Sequence, residues 1–315
     1  MTQDAGIQND IAEDSLDRPK RALVLSGGGG RGAYQVGVLK ALTELGIDFD
    51  VAFGTSVGGI NAAFYAQGKL KRLEEIWCSI SATDVFHFPT MDQLRHLMIG
   101  HRWGLLDTEP LEEILYREMD LQLLKNSRTK VGFATTDLCT LETRLIGTDD
   151  IHSTRALVDA LLASSALPIL FPARDFNGEG LWIDGGLVRN TPVQAAINLG
   201  CKEIHIVLLQ AENDGSCPTN IIQVLSRCAD ILLYASARDG IRMLNQYNKV
   251  VETQPPEIAA QHRLDIRVFQ PQNQVNYTVL DINHANSKSL IKQGYEEAMQ
   301  LLVCDITEQQ IFDAL

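Results

Sequence analysis

The chain is poor in the features that tie a protein to metals, nucleic acids or a bilayer. Its six cysteines, at 78, 139, 201, 217, 228 and 304, include no pair with C-x-x-C spacing. That argues against zinc and redox motifs and for scattered buried thiols in a reducing compartment. The seven histidines form no H-E-x-x-H or similar ligand pattern. Basic residues are outnumbered, 27 Lys and Arg against 40 Asp and Glu, and the net charge is −13. Nucleic-acid binding needs a basic footprint that this balance does not supply, and bulk attraction to an anionic membrane is likewise disfavoured. The uncharged stretch at 160–173 is too short to span a bilayer and contains Pro168 and Pro172. Residues 1–20 are polar and acidic, without the basic start and apolar core of a signal peptide, and are expected to form a disordered tail. The expectation is a soluble cytoplasmic protein, at most peripheral at a membrane, with no nucleic-acid partner, metal or cofactor.

What is present is an ordinary globular composition, 45% hydrophobic and 21% charged over 315 residues, ample for a sizeable core. A strand is expected over 21–26, then six residues that are nearly all glycine, then a helix over 33–45 with Val36, Leu39, Leu42 and Leu45 at helical spacing. A second strand over 49–53 and a helix over 59–66 follow. Two strand–loop–helix units predict an α/β fold with a mostly parallel central sheet covered by helices. The remainder reads as mostly helical over 69–124, paired strands over 130–137 and 143–147, and a helix over 154–165. A short strand over 181–183, a helix over 192–199 and a buried strand over 203–209 come next. A long helix or helix pair from 221 to about 248, a strand over 264–269 and a final helix over 287–303 complete the chain. One domain over 21–315 is the economical organisation, with a motif-bearing part at 21–209 and a helical part at 210–315.

Gly54-Thr55-Ser56-Val57-Gly58 is G-x-S-x-G between a strand and a helix, the setting of a nucleophile elbow, in which a sharp turn lifts the serine oxygen clear of the sheet. The glycine run Gly27-Gly28-Gly29-Gly30-Arg31-Gly32 has two meanings. It matches the dinucleotide-binding G-x-G-x-x-G. That motif wants an acidic residue at the end of the second strand, a place taken here by the elbow, while Asp48 and Asp50 precede the strand. Alternatively, consecutive glycines at a helix N-terminus aim backbone N–H groups at one spot, as an oxyanion hole near a serine requires. A serine nucleophile also needs a base. His205 lies in a buried strand and reads as a satisfied core residue, and no histidine stands in a turn at a strand end. Asp184 does, followed by Gly185-Gly186. It is either an ordinary turn residue or a carboxylate base strengthened by burial.

Taken together and in this order, the glycine run, the elbow and Asp184-Gly185-Gly186 resemble the patatin-like phospholipases. Ala163-Ser164-Ser165-Ala166-Leu167-Pro168 with Phe171-Pro172, and the continuation through Asn190-Thr191-Pro192, resemble the same family. The resemblance covers roughly 21–209. It implies a three-layer α/β/α sandwich and a Ser56–Asp184 dyad in place of a triad. It also implies oxyanion donors at Gly28, Gly29 and Gly30, and an Arg31 that steadies the loop or the developing charge. Arg189 stands where many members have asparagine. The implied activity is hydrolysis of phospholipid or other acyl-ester lipids through an acyl-enzyme. An acyltransferase using the same dyad is the alternative, and a nucleotide-binding protein the remoter one. Residues 85–106, rich in apolar and basic side chains, are either a plain helical packing layer or a lid that meets lipid transiently.

Overall fold

The first two strands are buried along almost their whole length, so both faces of the sheet have to be covered. The structure is a computed structural model describing residues 18, 20–91, 95, 104–176, 178, 180–209, 217–272 and 278–312. Nearly all of the acidic tail, and half of the stretch at 85–106, lie outside those residues.

The chain opens with β1 (Arg21–Leu25), α1 (Ala33–Glu44), β2 (Val51–Thr55), α2 (Val57–Ala66) and α3 (Leu70–Trp77). Then come α4 (Glu109–Glu118), α5 (Leu121–Lys125), β3 (Lys130–Asp137), β4 (Thr143–Gly147) and α6 (Thr154–Ser164). β5 (Arg174–Asp175), β6 (Leu181–Asp184), α7 (Gly186–Arg189), α8 (Val193–Asn198) and β7 (Glu203–Val207) follow. The last elements are α9 (Ile221–Glu252), α10 (Pro256–His262), β8 (Asp265–Phe269) and α11 (His284–Phe312). The strand order is β5-β6-β3-β2-β1-β7-β8, with β4 also paired to β3. Strands β3, β2, β1, β7 and β8 are parallel to one another, whereas β4 and β6 run antiparallel to β3. Alternate residues of β1 enter different cores. Leu23 and Leu25 join a cluster with α1 to α6 and α11, while Ala22 and Val24 join one with α8 and α9. This is the α/β/α arrangement in three layers.

Several boundaries differ from expectation by a few residues, and two of them sharpen the elbow. β2 runs on to Thr55 because it pairs with β1 through Gly54 and with β3 through Thr55, and α2 begins at Val57. Ser56 is therefore the only residue between strand and helix. The long C-terminal helix is one element of 32 residues, started by Asn220, whose side chain accepts the Gln223 N–H at 2.9 Å.

The part beyond residue 210, which carries no motif, is packed onto the motif-bearing part. α11 crosses α1 so closely that a Cβ on Gly37 would come within 2.0 Å of the Ile291 carbonyl oxygen. Likewise a Cβ on Gly294 would come within 2.2 Å of the Tyr34 carbonyl oxygen. The Tyr34 hydroxyl donates to Glu297 at 2.8 Å and that of Tyr295 to Glu44 at 2.8 Å. In an exposed helix, Gly→Ala stabilises by roughly 0.5–1 kcal/mol. At Gly37 the sign should invert: Gly37→Ala overpacks the α1–α11 contact and should destabilise by about 1–3 kcal/mol, measured as a lower urea midpoint.

Candidate active site

Ser56 and Asp184 are brought together by one edge of β3. β2 pairs with β3 as far as Thr55↔Ala134, and the next residue of β3, Thr135, pairs with Asp184 at the end of antiparallel β6. β4 pairs with Gly132 to Thr136, which places β2 and β6 on the opposite edge, end to end. The residue after Thr55 and the last residue of β6 therefore meet at the junction.

Ser56 occupies a backbone conformation that L-residues rarely adopt, with φ 56° and ψ −130°. The turn is tight: a Cβ on Gly54 would stand 2.3 Å from the Gly58 carbonyl, and one on Gly58 2.3 Å from the Leu25 carbonyl oxygen. The Ser56 N–H donates to Ser164 Oγ at 3.0 Å, and the Ser164 hydroxyl donates to the Ala134 carbonyl at 2.8 Å. The elbow is thereby fastened to the end of α6 and to β3. Val57, at the first position of α2, has no intrahelical acceptor for its N–H.

Asp184 is fully buried. Its Oδ1 accepts the Gly186 N–H at 2.7 Å, while Oδ2 has no hydrogen-bond partner among the described residues. Burial pushes its pKa up to about 7, opposed by the Gly186 N–H and by the nearby Ser56 hydroxyl. That hydroxyl is close enough to favour the carboxylate without closing a full hydrogen bond, which leaves Oδ2 as an unused acceptor. His205 is remote from this junction. It pairs in register with Leu23 and packs on the rings of Phe49 and Phe269 at 5.2 and 6.0 Å. Burial, helped by the charges of Arg267 and Arg21, pushes its pKa down to about 3, so the ring is neutral. It is a core residue, although its Nδ1 finds no partner among the described residues.

The glycine run lies beside the elbow. A Cβ on Gly27 would come within 3.0 Å of the Ser56 Cβ. The backbone N–H groups of the run divide into used and unused. Gly27 donates to Asn190 Oδ1 at 2.7 Å, Gly30 to the Val279 carbonyl at 3.0 Å, and Arg31 to the Gly28 carbonyl at 3.3 Å. Among the described residues the Gly28 and Gly29 N–H groups have no such partner, and Gly29 faces the same pocket as Ser56. Of the three N–H groups anticipated as donors at Gly28, Gly29 and Gly30, that of Gly30 is engaged by Val279. Gly29 has φ 57°, and a Cβ there would meet the Val279 carbonyl oxygen at 2.0 Å. Arg31 is buried. Its Nε donates to the Gly28 carbonyl at 3.2 Å and its guanidinium pairs with Asp230 of α9, so it clamps the loop from behind. Gly32 and the helix after it are tied in by a buried amide network. Asn61 Nδ2 donates to the Gly32 carbonyl at 3.0 Å and to Gln35 Oε1 at 2.8 Å, and Gln35 Nε2 donates to the Ser26 carbonyl at 2.8 Å.

Asn190 is the residue that sequence reasoning left without a role. Besides Gly27, its side chain reaches the Leu233 carbonyl at 3.0 Å, and its N–H donates to Ser236 Oγ at 2.7 Å. It joins the turn after Asp184 to the glycine run and to α9. Gly185 and Gly186 fill crowded places: a Cβ on Gly185 would meet the Ala134 carbonyl at 2.5 Å, and one on Gly186 would meet Leu233 at 2.4 Å.

Ser56 opens into an apolar pocket. Apart from Gly29, Ser56 and Ser165, its lining is wholly hydrophobic, and the Ser165 hydroxyl is buried without a partner among the described residues. Among the described residues, no group of three or more His, Cys, Asp or Glu side chains is placed to hold a metal ion.

The model of the patatin-like phospholipase family matches residues 23–197, more than half of the chain. The chain belongs to the patatin-like phospholipase family. It is 27% identical over 203 residues to patatin-like phospholipase domain-containing protein 6 of Mus musculus, covering 63% of this chain and 14% of that protein. It is 31% identical over 199 residues to the cGAMP-activated phospholipase of Escherichia coli strain TW11681, covering 56% and 55%. It is 30% identical over 204 residues to lysophospholipase NTE1 of Saccharomyces cerevisiae, covering 61% and 11%. The aligned part is thus a small fraction of two of these relatives and about half of the third. A solved structure of VipD from Legionella pneumophila aligns over 91% of this chain and 67% of that chain at 12% identity, with a TM-score of 0.45.

The buried carboxylate has a consequence for stability. Asp184 binds its proton more tightly folded than unfolded, so its contribution to stability falls as pH rises from about 4 through about 7. Asp184→Asn should therefore raise the Tm by several degrees at pH 8. The two proteins should converge near pH 4, which thermal unfolding at the two pH values checks.

Proposed function

We propose that the protein is a lipid acyl hydrolase in which Ser56 is the nucleophile and Asp184 the general base. The observation that carries the reading is a backbone-strained serine that lines an apolar pocket, placed next to a fully buried carboxylate of pKa about 7. A base near neutrality is matched to proton transfer at physiological pH. Asp184 Oδ2 takes the Ser56 proton as Oγ attacks the ester carbonyl. The negative charge on the carbonyl oxygen is held by the Gly28 and Gly29 N–H groups at the start of the helical turn. Collapse expels the alcohol, which receives the proton from Asp184, and leaves an acyl-enzyme. Water, deprotonated by Asp184, then attacks the acyl carbon; collapse breaks the bond to Ser56 Oγ, which takes the proton back from Asp184, and the fatty acid is released.

The nucleotide-binding alternative has less support. The end of β2 is the elbow, and Asp50 stands at the other end of that strand, accepting the Arg21 N–H at 2.7 Å and paired with Arg18. The decisive experiment is reaction with a fluorophosphonate and with phospholipid and lysophospholipid, with products read by mass spectrometry. Wild type should be labelled and should release free fatty acid, with kcat/KM rising through an inflection near pH 7. Ser56→Ala should lose both activities by at least a thousandfold. Labelling retained in Ser56→Ala would overturn the assignment, and acyl transfer to an added alcohol in place of fatty acid release would favour the transferase.

Transient contact with a lipid surface belongs to the same proposal. Phe88 and Met91 are 63% and 75% exposed. Phe88 stacks edge-on against Phe86 at 5.9 Å, and Phe86 in turn meets Phe171 of the pocket wall at 5.9 Å. An aromatic path thus leads from the surface to the site. Replacing Phe88 and Met91 together by Asp should lower hydrolysis of vesicle lipid while leaving a short water-soluble ester unaffected. Equal loss on both substrates would remove the surface role.

A further inference from the structure

We propose that the pocket beside Ser56 measures acyl-chain length, with Phe64 as its closed end, and that it selects single chains of medium length. The inference rests on the hydrolase reading above and adds a specificity to it.

The helix that presents the nucleophile also walls the pocket. Val57, Ile60 and Phe64 line it from α2, a spacing of three and four residues that sets them on one face of that helix. The pocket therefore runs from Ser56 along α2. At its far end the walls are sealed: Phe64, Leu73 and Leu115 are 1%, 2% and 0% exposed. Ile60, nearer the serine, is only half-buried. The side wall is fixed to the ruler itself, because the Trp77 indole N–H of α3 donates to Asn61 Oδ1 of α2 at 3.2 Å. α2 and α3 cannot slide apart to admit a longer chain without breaking a buried hydrogen bond.

The length follows from helix geometry. Ser56 and Phe64 are eight residues apart, about 12 Å along the axis at 1.5 Å per residue. An extended carbon chain advances about 1.2 Å per bond, so the space takes roughly ten carbons from the reacting carbonyl. The lining carries no charged side chain, so a phosphate or ammonium head group finds no partner inside it. Selection in this pocket acts on the chain alone. Each methylene that fits inside should raise kcat/KM by a factor of roughly four, and each one beyond Phe64 should add nothing or lower it.

The test is kcat/KM for p-nitrophenyl esters with acyl chains of increasing length, from acetate to palmitate, on the whole purified chain. The profile should climb to a maximum near ten carbons and fall for palmitate. Phe64→Ala should move the maximum to longer chains. Ile60→Trp, which narrows the pocket midway, should move it to shorter ones. Phe64→Leu serves as the milder variant if removing the ring unfolds the protein. A profile that is flat or still rising at palmitate overturns the ruler, as does a maximum that stays in place in both Phe64→Leu and Ile60→Trp. Those outcomes leave hydrolysis by Ser56 standing. If wild type cleaves no ester of any length and takes no fluorophosphonate label, the hydrolase reading itself fails.

Discussion

One edge of one strand holds the site together. β3 is long enough to pair first with β2 and then, past the end of β2, with β6. Because the two partners approach from opposite directions, the last residues of both arrive at the same point of the sheet. Register in a sheet advances one residue at a time, and a slip by one would turn Asp184 to the other face. The glycines around the junction follow from this crowding. Gly185 lies against the Ala134 carbonyl, and Gly54 against the first turn of α2, since a sheet edge carrying two chain ends leaves no volume for side chains.

In the proposed dyad, the same junction is what lets a carboxylate serve as the base. An aspartate in water is a weak base. Asp184 sits buried at a strand end; among the described residues Oδ1 accepts one backbone N–H and no cation pairs with the carboxylate. Arg31, the cation of the glycine run, is buried and paired with Asp230 of α9. Had that guanidinium faced the dyad, it would have lowered the pKa of Asp184 and cost the base its strength. The ion pair behind the glycine run thus has two effects: it braces the loop, and it keeps positive charge away from the carboxylate.

Much of this was legible in the sequence, because glycine runs, an elbow and an Asp-Gly-Gly turn are local patterns. Strands and helices followed from periodicity, and the elbow boundary was off by only two residues. What could not be read were the contacts made by amides and hydroxyls across the fold. Asn190 and Ser164 sit in the motifs that were noticed, yet their partners, Gly27 and Ser56, are 163 and 108 residues away. Nor does any pattern reveal that Val279 would seat its carbonyl on Gly30. That contact engages one of the three N–H groups anticipated for the oxyanion and makes the C-terminal part a wall of the site.

The elbow and the pocket are one element seen from two ends. α2 begins directly after Ser56 and ends beyond Phe64, so the distance between those two residues is set by a rigid helix, not by a loop. The network from Trp77 through Asn61 and Gln35 to the Ser26 carbonyl ties that helix to α3, to α1 and to the strand that leads into the glycine run. Every group in that network is an uncharged amide or indole, and each buried donor has an acceptor, so the network can be dry without a desolvation penalty left over. In the proposed reaction, a substrate chain seated against the floor would meet a serine and a glycine run whose positions are already fixed relative to it. That is the condition under which binding of a remote methylene can be expressed at the reacting carbonyl.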